Sequence, residues 1–462
     1  MRLSKEVCRQ ARTLIAARLG LDFPERREAD LERGLARAWR SAAVSAPEAY
    51  LAWLANLPQE SPEWQRLASH LTVGETYFFR DRACFEALER QVLPALITAR
   101  RAQGIFRLRL WSAGCATGEE AYSLAILLER LLPDRAEWAL TILATDINPE
   151  ALDAAQRGRY REWALRDTPA WIRDRYFDPR GAETFELHPR IRRMVAFAPL
   201  NLAEHTYPSM VTNTGAMDLI LCRNVLMYFT REAQLAAVAR LQMALVPRGW
   251  LVVNPAEGSA ELLRPLVPVN FPAAIFYRKE SASPSPPASS WEPETGFPAP
   301  QAPFPVAPPL GELAAPEAAV PSPPTAAEVP PDPAILLERA RTLADQGDLE
   351  QARHLCLAAL AQDRLNPEMH FLLAAICQER GEVSAALEAL RRAIYLAPEF
   401  APAHFLQGSL LLRQAKLKQG RRSMETVVHL LSSVPHDEPV PGSDGLTAGR
   451  LAEMARAYLE VR

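Results

Sequence analysis

Leu108-Arg109-Leu110-Trp111-Ser112-Ala113-Gly114-Cys115-Ala116-Thr117-Gly118-Glu119-Glu120-Ala121-Tyr122-Ser123-Leu124 decides how the rest of the chain is read. Apolar residues ending at Trp111 predict a buried strand, and two glycines then predict a tight turn. From residue 119 to 132, Ala121, Leu124, Ala125, Leu128, Leu131 and Leu132 recur at helical spacing. Strand, glycine turn and helix are how a Rossmann-like sheet presents backbone N–H groups to a ligand at a helix start. Glycine lets the chain approach that ligand without a Cβ in the way. A plainer reading stands beside it: Thr117 followed by Glu120 fits a capping box that only closes the helix N-terminus.

Working outward, the chain has 462 residues, 48% of them apolar, which is too long for one ordinary domain and enough for a substantial core. A net charge of -3 gives no global field that favours nucleic acid. Cysteines 8, 84, 115, 222, 356 and 377 are scattered without a Cys-x-x-Cys pair. That pattern predicts reduced thiols in a cytoplasmic protein and no structural zinc or other metal. The first residues lack an apolar signal core, and no apolar run is long enough for a membrane span.

Residues 1–95 read as helical, with Leu14, Ile15, Leu19, Leu31, Leu35, Ala38 and Trp39 at helical spacing. Their first forty residues hold ten basic and six acidic side chains, either a solvated face or a docking surface for an acidic partner. A run of three aromatics and a cation, Tyr77-Phe78-Phe79-Arg80, interrupts them ahead of a helix expected from about residue 83 to 96. It is either a core plug with Arg80 in an ion pair, or an aromatic wall beside a cationic ligand with Arg80 holding an anion.

Residues 96–280 alternate strands and helices. A second strand, residues 139–145, ends at Asp146, where Asn148 is the cap of a helix and Pro149 its first residue. A carboxylate at the C-terminal edge of a second strand suits both hydroxyls of a ribose, although a plain turn aspartate fits too. Strands at 194–199 and 217–222 run into Asn201-Leu202 and Arg223-Asn224, polar positions that belong in the ligand crevice of an open parallel sheet. A helix at 231–245 and strands near 250–253 and 274–278 complete the region.

Ser-Ala-Gly-Cys-Ala-Thr-Gly-Glu-Glu-Ala-Tyr-Ser, Ala-Thr-Asp-Ile-Asn, Asn-Leu and Cys-Arg-Asn-Val-Leu-Met-Tyr-Phe stand in the order and spacing of the CheR-type chemotaxis receptor methyltransferases, and Thr-Tyr-Phe-Phe-Arg in front fits as well. The resemblance covers roughly residues 5–280. It implies an α/β Rossmann-like methyltransferase domain that binds S-adenosylmethionine, an all-α N-terminal domain and a small antiparallel β-subdomain at about 176–194. It also implies methyl transfer to glutamate side chains on chemoreceptor helices. By the same resemblance Thr76, Arg80, Glu120, Asp146, Asn201, Leu202, Arg223 and Asn224 contact the cofactor, and Tyr228 lies with Arg80 at the transfer centre. Gly74 stands where the family usually has asparagine. The short loop 179–183 resembles members that act without gripping a receptor pentapeptide.

The residue inventory suits that chemistry. A glutamate carboxylate, with a pKa of ~4.3, is ionised and nucleophilic at neutral pH, so no general base is required. Alignment of nucleophile and donor is what remains, and positioning supplies up to ~7–11 kcal/mol.

Seventeen of the forty prolines fall in residues 281–333, and no Lys or Arg lies between Lys279 and Arg339. This composition predicts a Pro-rich disordered linker over 281–332. Beyond it Pro333 and Pro367, Gly347 and Gly381, and Ala352 and Ala386 recur at the period of tetratricopeptide repeats. Residues 333–434 resemble three such repeats, with a capping helix in 435–462, and imply a protein or peptide partner. The domain order resembles the methyltransferases of Wsp-type biofilm pathways. Competing functions are a methyltransferase for small molecules or nucleic acid, and a scaffold that only senses the cofactor. No Asn/Asp-Pro-Pro-Tyr block of a base methyltransferase is present.

Overall fold

The computed structural model describes residues 3–280 and 333–460, apart from positions 43, 59, 60, 73, 182, 210, 260, 346 and 415. The Pro-rich segment 281–332 lies outside the described residues.

Four helices open the chain: α1 (Lys5–Leu19), α2 (Glu28–Ser41), α3 (Pro47–Ala55) and α4 (Pro62–Leu71). Ser4 caps α1 by accepting the Val7 N–H, and Gly20 ends it in the left-handed conformation at φ 70°. Val7, Ala11, Ile15 and Leu19, spaced by four, form its buried stripe. Two further helices, α5 (Arg82–Ala87) and α6 (Leu93–Ala102), are joined by a π turn over Leu88–Val92. Pro94 just beyond has no N–H to donate, and the helix widens there instead of breaking. The helix expected to stop near residue 96 therefore continues to Ala102.

The sheet is built from β1 (Arg107–Ala113), β2 (Ala139–Asp146), β6 (Val195–Pro199), β7 (Met217–Leu221), β8 (Leu245–Val252), β9 (Val267–Phe271) and β10 (Ala274–Arg278). Its order is β6-β2-β1-β7-β8-β10-β9, with the first five strands parallel and β10 antiparallel to β8 and β9. Every residue of β1 is buried, as expected of a central parallel strand covered on both faces. Leu108 and Leu110 face one core with α6 and α7 (Glu119–Leu131); Trp111 and Ala113 face the other, shared with α1–α4 and α11 (Arg231–Ala244). The N-terminal helices thus share a core with one face of the sheet.

Between β2 and β6 come α8 (Pro149–Arg157), α9 (Ala170–Tyr176) and α10 (Pro189–Arg192). With them stands a three-stranded antiparallel sheet of β3 (Arg159–Arg161), β5 (Thr184–Leu187) and β4 (Phe177–Pro179), with β5 in the middle.

The C-terminal region is a stack of helix hairpins: α12 (Pro333–Asp345) with α13 (Leu349–Gln362), α14 (Pro367–Glu379) with α15 (Val383–Leu396), and α16 (Ala401–Arg413) with α17 (Leu417–Leu431). First helices begin at 333, 367 and 401 and second helices at 349, 383 and 417, the same step each time. The turn glycines Gly347 and Gly381 recur in register, at φ 84° and 78°. A last helix, α18 (Ala448–Glu460), packs on α17. Among the described residues no helix is long and apolar enough to cross a membrane.

Candidate active site

The chain runs β1, β2, β6 outward on one side of β1 and then returns to β7 on the other, so β1 is the switch point of the sheet. Ligands of open α/β sheets bind beyond the strand C-termini at such a point. Here that position is a cleft of about 750 Å³, partly open to solvent, whose wall includes Gly114, Asp146, Asn201, Leu202, Asn224 and Tyr228.

The glycine turn is built as a cradle. The N–H groups of Gly114 and Cys115 both donate to the Thr145 carbonyl, at 2.8 and 2.9 Å, tying β1 to β2 at the rim. Gly114 has φ 82°, and a Cβ on it would lie 2.3 Å from Val225 Cγ2, so only glycine fits. The capping box expected from Thr117 and Glu120 does not form. Gly118, at φ 90°, is the N-cap, and Thr117 donates to Glu119 at 2.7 Å. Glu120 instead accepts from Ser112 Oγ at 2.7 Å and from Arg223 Nη1 at 3.2 Å. Arg223 Nη2 reaches Asp81 at 3.1 Å, so two carboxylates hold one buried guanidinium.

Asp146 accepts the N–H of Ala116 on one oxygen, at 2.8 Å, and that of Asn148 on the other, at 2.9 Å. Burial raises its pKa, and these N–H groups offset only part of that rise. Each carboxylate oxygen keeps a second lone pair for a further donor. Asn148 caps α8 by accepting the Ala151 N–H at 3.2 Å. Asn201 joins the site to α1, donating to the Arg18 carbonyl at 3.3 Å, while its Oδ1 accepts the Ala203 N–H at 3.0 Å. The carbonyl of Leu202 accepts from Tyr207 and Arg240, which fixes the end of β6.

Five of the residues named from sequence therefore meet on one wall: Asp146, Asn201, Leu202, Asn224 and Tyr228. Thr76 and Arg80 follow Gly74, which lines the cleft, but do not line it themselves, and Arg80 donates to the Glu75 carbonyl at 2.7 Å. Glu120 and Arg223 form the ion pair within the turn and do not line the cleft.

Two residues were missed. Arg27 stands in the cleft wall with its guanidinium 4.9 Å from the Tyr228 ring centroid and 4.6 Å from that of Phe23. Nothing in the basic run around it distinguishes it from its neighbours. Glu257 accepts N–H groups of Asn224 at 2.6 Å, Met227 at 3.2 Å and Asn254 at 3.2 Å. It follows β8 as Asn201 follows β6, so the reasoning that singled out the other strand ends applies to it equally. Non-glycine residues at positive φ cluster nearby: Phe79 (57°), Asp81 (68°), Ala116 (46°) and Asn224 (59°). Such backbone persists only where surrounding contacts enforce it, and functional sites are where it gathers.

The cleft fits an adenosyl ligand: a carboxylate with spare lone pairs, apolar walls from Ile147, Ala151 and Leu202, and a glycine that lets Val225 close on the turn.

Comparison with known proteins agrees. Residues 74–266 match the family model described as CheR methyltransferase, SAM binding domain. The chain is 32% identical over 415 residues to the probable biofilm formation methyltransferase WspC of Pseudomonas putida (strain KT2440), covering 88% of this chain and 95% of that one. It is 28% identical to WspC of Pseudomonas aeruginosa (strain PAO1), with the same coverage. With chemotaxis protein methyltransferase 1 of the latter organism it shares 36% identity over 212 residues, 45% of this chain and 74% of the relative.

Proposed function

The chain belongs to the CheR family of S-adenosylmethionine-dependent methyltransferases, and on that premise we propose how its residues divide the work of methylating glutamate side chains of a chemoreceptor in a Wsp-type pathway. S-adenosylmethionine supplies a methyl group activated by the positively charged sulfur beside it. Asp146, Asn201, Leu202 and Asn224 hold this cofactor from the cleft wall, Thr76 and Arg80 close on it from the adjoining loop, and Glu120 and Arg223 contact it from behind the turn once it is seated. Asp146 does so through the lone pairs that Ala116 and Asn148 leave free. Glu120 and Arg223 fix the shape of the turn through their ion pair.

The acceptor arrives already charged, since a glutamate carboxylate has a pKa of ~4.3. Taking an unpaired carboxylate out of water is costly, so the site must offer it a cation or a hydroxyl. Tyr228 and Arg80 serve that role, with Arg27 against the Tyr228 ring. No proton has to be removed, and the chain's task is alignment and exclusion of water.

The proposed domains are a helical N-terminal domain (1–95), the methyltransferase domain (96–280), a linker (281–332), three tetratricopeptide repeats (333–434) and a C-terminal capping region (435–462). The repeats carry a protein-binding role. The protein works in the cytoplasm, where receptor helices are reached from solution.

One observation carries the reading: the C-terminal ends of β1, β2, β6 and β7 converge on a single cleft with Asp146 in its wall. The test is incubation of a purified receptor with radiolabelled S-adenosylmethionine and this protein. Methyl esters release labelled methanol in mild base, and label stable to base would mean another acceptor chemistry.

A further inference from the structure

The inner face of the helical stack is occupied by the chain's own catalytic domain. Residues 211–214, between β6 and β7, lie against α14, α16 and α18. Val211 is buried in the same apolar cluster as Phe371, Phe405 and Leu406 of the stack. Gln378 of α14 donates to Asn213 at 3.4 Å, and Ser209 donates to Asp444, in the loop before α18, at 3.1 Å.

Charge complements this apolar contact. Arg109 and Arg107, two cations on the buried central strand, both reach Glu379 of α14, at 2.6 and 3.4 Å. Arg109 also donates to the Asn213 and Gly215 carbonyls, at 2.9 and 3.2 Å, tying strand, loop and stack together. The turns of the stack press in as well. A Cβ on Gly381 would lie 2.8 Å from Ala139 Cβ, and one on Gly347 3.1 Å from Val246.

This contact reaches the cleft. Arg450 of α18 pairs with Glu204 at 3.5 Å and donates to the Pro199 carbonyl at 3.5 Å, on either side of Asn201 and Leu202. Leu200 lines both the cleft and a second cavity under the stack.

We propose that the stack binds its own catalytic domain through Ser209 and residues 211–215 and, through Arg450, braces the 199–204 rim of the cleft. The docked arrangement is then the one competent to bind the cofactor.

Full-length Ser209→Cys/Asp444→Cys protein, mildly oxidised, tests the docking. A disulfide in most molecules, with S-adenosylhomocysteine affinity as in the wild type, is expected; thiols that stay free would overturn it. Full-length Val211→Asp and Glu379→Arg test the brace. Dissociation constants for S-adenosylhomocysteine should rise about fivefold or more, with faster hydrogen exchange in residues 199–204. Placing Val211→Asp in the oxidised double-cysteine protein should restore affinity, which a merely misfolded variant would not do. Unchanged affinity and exchange in both variants would remove the brace. Only this second half rests on the adenosyl reading of the cleft: a wild type that never binds S-adenosylhomocysteine defeats that reading, whereas free thiols defeat the docking.

Discussion

Glu257 accepts the backbone N–H of Asn224 at 2.6 Å, and by that bond the end of β8 sets the conformation of the loop after β7. Asn224 sits at φ 59°, which costs a non-glycine residue energy that something else must offset. Removing the carboxylate in Glu257→Ala leaves three N–H groups without their acceptor. A hydrogen bond to a charged group is worth about 1.5–3 kcal/mol, so S-adenosylhomocysteine should bind at least ~10-fold more weakly, with Glu257→Gln intermediate. Titration calorimetry measures this, and wild-type affinity in the alanine variant would remove Glu257 from the site.

Asp146 offers a sharper case, because its oxygens are arranged by two N–H groups before any ligand arrives. Asp146→Ala should lower cofactor affinity by roughly 100-fold, the cost of leaving ligand hydroxyls unpaired in a buried site. Fluorescence or calorimetric titration reads it out. Circular dichroism should show the fold retained.

Gly114→Ala places a methyl group 2.3 Å from Val225 Cγ2 on a backbone at φ 82°. The expected loss is about 2 kcal/mol or more of stability together with cofactor binding, since strain and overpacking act at once. Chemical denaturation with and without S-adenosylhomocysteine separates the two effects. A variant as stable as the wild type and equally responsive to ligand would contradict the cradle geometry.

Arg27→Ala removes the cation beside Tyr228 without touching Asp146 or the glycine turn. Turnover on the receptor should fall about 10-fold while S-adenosylhomocysteine binding stays within about twofold, as expected when only interactions with the acceptor are lost. Tyr228→Phe should behave in the same direction. Equal loss of both properties would instead make Arg27 part of the cofactor wall.

Glu119 gives a pH signature. Burial raises its pKa from an ordinary 4.5 to about 7, against the Thr117 hydroxyl, which lowers it. Between these values the folded chain holds a proton that the unfolded chain has released, so this group makes stability fall as pH rises from about 4.5 to 7. The loss amounts to roughly 3 kcal/mol at most, and Glu119→Gln should abolish it. Melting curves of the two proteins across that interval should converge at the acid end and separate towards neutrality.

Much of this was legible in the sequence because the signals were local. Strand, glycine turn and helix around Gly114, and the Asn148-Pro149 helix start after Asp146, follow from a few adjacent residues, and the structure has them there. The stack announced itself by its period alone, and the hairpin starts keep that period. Less visible were features whose cause lies elsewhere in the chain. The short strand β3 carries little hydrophobic pattern of its own and exists through its partner β5, while in the edge strand β9 Pro268 interrupts the alternation of Val267, Val269 and Phe271. Thr117 and Glu120 have the spacing of a capping box, yet Arg223 and Ser112 claim the glutamate. Arg27 looked like one charge among ten until the fold set it against Tyr228.

Leu21, just past α1, pairs with Phe229 in an isolated antiparallel bridge, and the Asp22 N–H donates to the Tyr228 carbonyl at 2.7 Å. The cleft wall is thus made from segments about two hundred residues apart, and closing so long a loop must precede any reward from the contact. During synthesis the opening helices leave the ribosome long before their counterpart exists. They can pack on α3 and α4 at once, but the part of their shared core that the sheet face and α11 complete must wait uncovered in the cell's crowded interior. Translation speed through the middle of the message and the supply of chaperones therefore bear on how much working enzyme a cell obtains, independently of any change at the cleft itself.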